Sequence, residues 1–272
     1  MKQKVKELLT KGGISGFLGI KLVNGCSCPH LFTKDDIDSL DSLVVTDERY
    51  PLAGIILRLI NKYPAQSFGL MVRGCDERAL VELHKYHQIN IQQIVPLGVA
   101  CTSELADKCD CEKPYPSQWV VGDKIERTEN RKRIEDLEKM PEKERLRYWL
   151  SKFSRCMKCY GCRNICPLCF CERCSLEDKN LIALGEIPPE FPVFQLIRAI
   201  CLAGKCVDCG MCEDTCPSNI PLRSLYKKVY EEVRKLFDYI PGMNTEEKNP
   251  LSYPGEGAGL KNVLVSADFY EL

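Results

Sequence analysis

The sequence predicts an α+β protein in two main parts: a small α/β domain with a parallel βαβ unit, then a cysteine-rich domain bracketed by helices. Three observations predict it. Residues 67–101 run from a buried strand through an amphipathic helix to a second buried strand. Residues 124–147 are almost continuously charged and separate the two parts. One cysteine pattern occurs twice, as CMKCYGCRNICP at 156–167 and CVDCGMCEDTCP at 206–217.

In chain order, the opening MKQKVKELLTKGG lacks the apolar stretch and small-residue cleavage site of a secretory signal, so a reducing, cytoplasmic setting is expected. GFLGIKLV and SLVVTD read as strands, and PLAGIILRLINKY as a helix opened by Pro51. The most apolar run, LAGIILRLI, meets Arg58 well short of the roughly 20 residues of a bilayer span. SFGLMVRG, CDERALVELHKYHQ and IQQIVPLGVAC then form the βαβ unit, with a crossover long enough for parallel neighbours. Residues 1–122 thus make the α/β domain. Residues 123–150 read as a charged, solvated helical linker, broken near Pro141 and docking through Leu146, Trp149, Leu150 and Phe153.

Residues 151–240 hold both cysteine repeats. Between the copies, FPVFQLIRAICLAGK is a helix with Pro192 in its first turn. After them, IPLRSLYKKVYEEVRKLFDYI is a helix with Leu225, Val229, Val233 and Phe237 on one face. Residues 241–272 form an extended C-terminal tail, rich in Pro, Gly, Glu and Asn, that ends in the apolar VLVSADFYEL; such a segment is expected to fold against a partner.

With 272 residues, 44% of them hydrophobic, the chain can bury real cores. Its 38 basic and 38 acidic residues cancel, so no overall field draws it to nucleic acid or an anionic membrane, and proteins are the expected partners. Eighteen cysteines in a reducing compartment point to metal rather than disulfides.

Each repeat is Cys-x2-Cys-x2-Cys-x3-Cys-Pro, the spacing with which bacterial ferredoxins hold [4Fe-4S] clusters: three close thiolates grip one cluster and the fourth reaches the other. Cys156, Cys159, Cys162 and Cys216 are therefore expected around one cluster, and Cys206, Cys209, Cys212 and Cys166 around a second. The cysteine-rich domain then becomes a two-[4Fe-4S] ferredoxin-like domain. Zinc, the alternative for CxxC pairs, does not account for a third CxxC step and a Cys-Pro in both copies.

Cys169, Cys171 and Cys174 follow directly and offer three more thiolates for a third cluster. Their fourth ligand must come from elsewhere. In adjacent parallel strands the carboxyl ends share the edge where α/β sheets place ligands, and Cys75 and Cys101 both follow strands there. Cys101 is the expected fourth ligand, with Cys26, Cys28, Cys109 and Cys111 as rivals, while Cys75 and Cys201 read as inert thiols. Lys158 and Arg163 in the first loop, against Asp208, Glu213 and Asp214 in the second, predict a higher potential for the first cluster. No P-loop, dinucleotide fingerprint or nucleophile paired with a histidine is present, so no catalytic residue is assigned. His84 and His87 read as surface residues, and His30, after CSCP, as a weak metal candidate.

CYGCRNICPLCFCERC, the distal GKCVDCGMCEDTCP and the upstream RGCDERALVEL with GVAC together resemble the iron–sulfur beta subunits of microbial formate dehydrogenases and deazaflavin-reducing hydrogenases. The resemblance implies a non-catalytic electron-transfer subunit of an anaerobic complex. It would relay electrons between a catalytic subunit and another redox partner, such as a heterodisulfide-reductase-like module. Members with a flavin domain also bind FAD; this chain is short for one of them, and its cysteine repeats follow its α/β domain. The alternatives are a flavin-containing beta subunit, an electron-transfer subunit of a sulfite-reductase-type enzyme, which shares the CPxCxC run, and a structural zinc protein.

Overall fold

The structure, a computed structural model, describes residues 1–127, 131–183 and 185–252. After helix α1 (Lys2–Thr10), strand β1 (Gly16–Val23) turns at Asn24 and Gly25 into the antiparallel β2 (Cys26–Phe32). Both turn residues have positive φ, 50° and 81°, as a two-residue Asn-Gly hairpin requires. β2 was not anticipated from the sequence, although the Asn-Gly pair signals it. SLVVTD contributes only the two-residue β3 (Leu43–Val44), which pairs with β1.

Helix α2 (Leu52–Lys62) begins at Pro51 as expected. Strand β4 (Phe68–Val72), helix α3 (Gly74–Lys85) and strand β5 (Ile94–Gly98) form the βαβ unit, its strands paired in parallel from Phe68↔Ile94 to Val72↔Gly98. β4 also lies parallel to β1, so the sheet is mixed, in the order β2-β1-β4-β5. The fold is therefore a mixed α/β arrangement with a parallel unit inside it. Short α4 (Ser103–Lys108), capped by the Thr102 hydroxyl at 3.1 Å from Leu105 N, leads away from the carboxyl edge of β5.

Beyond the sheet come α5 (Lys132–Glu138), α6 (Glu142–Phe153), α7 (Gly161–Asn164), α8 (Val193–Cys201), α9 (Met211–Asp214) and α10 (Leu222–Phe237). The main core joins α6, α8 and α10 to the sheet, running from Phe17, Phe68 and Leu70 through Leu168, Leu202, Val207 and Ile220 to Tyr226, while Leu176, Ile182 and Phe194 form a second, smaller cluster. Gly54 of α2 packs against Pro167, whose Cα would be in ordinary contact, at 3.5 Å, with a Cβ at that position. The first repeat is thereby seated on the α/β part.

Three segments differ from expectation. On α10 the buried positions are Leu222, Tyr226 and Val233, joined by Arg223 and Lys227, so the inward face has turned toward the cysteine loops and carries cations with it. The break at Pro141 occurs, but the charged stretch before it is not simply solvated. Ile134 of α5 is buried, and the Arg131 guanidinium donates to Glu231 on α10 at 3.0 and 3.2 Å. Residues 241–252 are packed rather than extended: Gly242 N donates to Glu82 at 2.6 Å, and buried Asn249 donates to the Tyr86 hydroxyl at 2.7 Å. VLVSADFYEL lies outside the described residues.

Glu82 ties this end of the chain to α3. Fully buried, it accepts from Tyr239 at 3.1 Å and from Gly242 N, and pairs with Lys85 at 2.6 Å. Glu82→Ala would deprive the Lys85 ammonium of its carboxylate, leaving it the Tyr239 hydroxyl at 2.7 Å, and would remove the acceptor of the Tyr239 and Gly242 donors, at a cost of about 3 kcal/mol. A lower denaturant midpoint with faster proteolysis near residue 242 is the expected result.

Candidate metal centres

The two cysteine repeats adopt one backbone conformation, fifty residues apart. Lys158 and Tyr160 in the first copy have φ of 54° and 57°, and Asp208 and Gly210 in the second have 52° and 74°. Each copy then enters a one-turn helix, α7 or α9. Left-handed residues set between right-handed ones turn successive amides to the same side, the geometry of an anion-binding nest. Those amides face sulfur: Gly161 N donates to Cys159 Sγ at 3.5 Å, Lys158 N to Cys156, Asp208 N to Cys206 and Met211 N to Cys209.

Cys156, Cys159, Cys162 and Cys216 line one hollow, and Cys166, Cys206, Cys209 and Cys212 the next. Each hollow draws sulfur from both copies, in the crossed arrangement expected from the spacing. Arg198 Nε and the Tyr226 hydroxyl are buried without a hydrogen-bond partner among the described residues, and both residues line both hollows. Orphaned donors facing thiol-lined space fit a sulfur-rich anionic group that would accept from them. Among the described residues, no three His, Cys, Asp or Glu side chains converge as ligands of a single ion; here the sulfurs surround space instead. Burial pushes the Cys206 thiol up to about 12 and also raises Cys156, Cys162 and Cys212, so these thiols resist ionising until a cation compensates them.

A third, larger cavity of about 370 Å³ contains Cys169, Cys171 and Cys174. Cys166 and Cys201, the latter at the end of α8, also line it, whereas Cys101 does not. The expectation for Cys101 fails because the carboxyl edge of β4 and β5 faces another hollow, one that has no residue in common with this cavity. Cys201 stands three residues after Arg198 on α8, hence on the same helix face, and that spacing was the signal in the sequence. Arg198 donates to Cys169 Sγ at 3.0 Å and to the Cys162 carbonyl at 2.7 Å. A thiol hydrogen bond with Cys166, and then the Arg198 charge, bring Cys169 down to about 5. Arg58, Arg163, Arg173 and Lys205 add further positive charge to the lining.

The charge contrast between the two loops does not survive folding. Asp208 forms a two-pronged ion pair with buried Arg223 at 2.8 and 2.9 Å, Asp214 pairs with Arg49, and Glu213 pairs with Arg133 at 2.7 Å. On the other loop, Arg163 pairs with Glu177 at 2.5 Å and Lys158 donates to the Ala183 carbonyl. The histidines are engaged locally: His30 with Asp36 at 2.7 Å and His84 with the Ile89 carbonyl at 3.1 Å, while His87 lies past the end of α3. Cys26 and Cys28 sit on β2, Cys26 exposed and Cys28 within 3.7 Å of the Lys21 carbonyl.

Paired cysteine loops with this spacing are the kind that iron–sulfur proteins of the electron-carrying class use. Comparison with characterised proteins narrows this. The chain is 44% identical over 99 residues to the F420-dependent formate dehydrogenase subunit beta of Methanocaldococcus jannaschii, and 42% identical over 98 residues to the F420-dependent formate dehydrogenase 1 subunit beta of Methanococcus maripaludis. The match takes in 36% of this chain and 26% and 25% of those proteins, so the chain spans about a quarter of the length of the curated relatives it matches. Over that third of its sequence the chain is related to the formate dehydrogenase beta subunits. No family model matches it. No helix among the described residues is long and apolar enough to cross a membrane.

Asp208 serves the fold before it serves any cluster. Asp208→Asn would leave the Arg223 guanidinium, 5% exposed, without its carboxylate, and is expected to lower stability by about 3 kcal/mol. Equilibrium denaturation of the variant beside the parent protein measures it.

Proposed function

We propose that the chain is an electron-relay iron–sulfur subunit of an oxidoreductase complex of the formate dehydrogenase or hydrogenase type, passing electrons between a catalytic subunit and another redox partner such as a heterodisulfide-reductase-like module. The observation that carries this reading is the pair of adjoining hollows, each lined by cysteines from both repeats. Cys156, Cys159, Cys162 and Cys216 would hold one [4Fe-4S] cluster and Cys206, Cys209, Cys212 and Cys166 a second, within a dicluster ferredoxin-like domain. Cys169, Cys171, Cys174 and Cys201 would hold a third. Each group, when bound, supplies a one-electron carrier with no bond made to substrate.

The protein's own contribution is positioning and charge. The inward amides hold thiolate, and Arg198, 2% exposed, lines all three hollows and supplies the positive charge that a reduced site needs. The third cavity reaches solvent at Cys171 and Cys201, both exposed. Beside it α8 presents Val193, Leu196 and Ile200 to solvent, Ile200 at 73% exposure. Apolar strips of this kind mark protein contacts, so the third site is the one that would meet a partner subunit.

Anaerobically isolated protein is expected to lose about four irons and as many acid-labile sulfides on Cys201→Ser or Cys171→Ser, with the signals of the ferredoxin pair retained in electron paramagnetic resonance. Unchanged iron in a folded variant defeats the third site; absence of iron from the parent protein defeats the whole reading. Arg198→Gln removes the shared buried cation and should lower the reduction potentials of the flanking sites by about 60 mV, the equivalent of about 1.4 kcal/mol, in a redox titration.

A further inference from the structure

We propose that Gln195 donates an amide hydrogen to the cluster held by Cys156, Cys159, Cys162 and Cys216, and so sets the potential of that site above that of its neighbour. This role rests on reading the chain as an iron–sulfur carrier, and adds to it the order in which the ferredoxin-type pair fills with electrons.

Helix α8 runs beside both hollows and shows each a different group. Gln195, Arg198 and Leu202 follow one another at steps of three and four residues, which puts them on one helix face. Gln195 lines the first hollow alone, Arg198 lines both, and Leu202 lines the second. One centre thus meets a primary amide where the other meets a hydrocarbon.

That amide is buried and unused. Gln195 is 2% exposed, and neither its Nε2 nor its Oε1 has a hydrogen-bond partner among the described residues. An amide buried in this state costs about 1–3 kcal/mol, which an apolar side chain of similar size would not incur. The side chains of Phe194, Ile220 and Leu222 around the same hollow offer it no acceptor. Sulfur does. Burial raises the Cys156 thiol, and the Lys158 amide and then the Gln195 side chain offset part of that rise, so the Gln195 amide is turned toward this sulfur although it makes no hydrogen bond there. An anionic, sulfur-bridged group in the hollow supplies the missing acceptor.

The other donors do not separate the two centres. Arg198 Nε and the Tyr226 hydroxyl, also without partners, belong to residues that line both hollows. Arg223 lines the second alone, but Asp208 matches its charge at 2.8 and 2.9 Å. Among the described residues, Gln195 is the buried, unpartnered side-chain donor that lines one of these hollows and not the other. Reduction adds negative charge, so an N–H aimed at sulfur holds the reduced state more tightly than the oxidised one and raises the potential. The electron comes from a low-potential donor, dithionite in the test, which is oxidised as one centre is reduced by a single electron. No proton or group moves with it.

The test is a redox titration of the full chain, anaerobically isolated and reconstituted, with dithionite as reductant and electron paramagnetic resonance as readout. Cys159→Ser alters one ligand of the first centre and so identifies its signal. In the parent protein that signal is expected at the higher potential of the ferredoxin-type pair. Gln195→Leu should make reduction of this centre about tenfold less favourable, a fall of about 59 mV for one electron, with the other signals and the iron content as in the parent. A shift of all signals together, no shift in a variant with full iron, or a shift confined to the second centre overturns the proposal. Should Gln195→Leu bind less iron, Gln195→Met, which keeps the length of the side chain without a donor, is read by the same criteria. With neither variant loaded, the parent decides: the first centre filling first upholds the proposal, and the second filling first overturns it. A parent protein with no iron at all would instead reject the carrier reading beneath it.

Discussion

Gathering thiols in a protein interior demands buried positive charge, and this constraint organises the molecule. A thiolate taken out of water without a partner is unstable, and the burial that raises the pKa of Cys162, Cys206 and Cys212 expresses that cost. The counter-charge comes from arginines sited where the cysteine-lined spaces meet. Arg198 stands among three of them, and Arg73 lines the one at the sheet edge. Arg49 donates to the Cys209 carbonyl, and Arg223 reaches both Asp208 and the Asp110 carbonyl. The formal net charge of zero conceals this, because the balance is struck locally and inside.

The same constraint explains why the α/β part and the cysteine-rich part share a core. Arg78 on α3 donates to the Lys113 carbonyl and to the Val207 carbonyl at 3.2 and 3.3 Å, linking the loop at the sheet edge to the second repeat. Arg49, from the segment before α2, does the same for Cys209 and Asp214. Guanidinium groups suit this role because one planar fork can satisfy carbonyls on two segments and remain charged. Interfaces built this way fix the spacing of the hollows, on which any electron relay depends.

Most of the fold was legible because its signals are local. The βαβ unit, the start of α2 at Pro51 and the break at Pro141 each rest on periodicity or on proline, which act within a few residues. The grouping of the repeats' cysteines was legible for a similar reason: spacing within one copy brings three of them to one hollow, and the other copy lines it with one more. Long-range grouping was not legible. Cys201 looked like an isolated thiol until the end of α8 met the Cys169–Cys174 loop, and Cys101 was assigned to that loop because the sheet edge is a correct general site for ligands but collects a different set of cysteines here. The buried side of α10 was legible in part: Val233 is buried and Leu225 and Val229 pack against the core, but an apolar stripe does not reveal that Arg223 and Lys227 also turn inward. That addition follows from what the helix faces, a charged and sulfur-rich neighbour, rather than from its own pattern.

Charge written along a loop is therefore a poor guide to the field at its centre. The second repeat carries Asp208, Glu213 and Asp214, yet each meets an arginine, Arg223, Arg133 or Arg49, and Glu213 also accepts from Arg223 N at 3.0 Å. The first repeat carries Lys158 and Arg163, and Arg163 has its own acid in Glu177. Paired charges of opposite sign at hydrogen-bonding distance leave only a dipolar field, which falls off faster than that of a lone charge. The groups left to distinguish the two centres are those without a fully matched partner, Arg198 beside both and Gln195 beside the first alone, together with the amide donors that the two copies present in the same arrangement. A difference in electron affinity between the centres must then arise mainly from Gln195, from how near each lies to Arg198 and from how each is screened by solvent, not from the sign of the residues written between its cysteines.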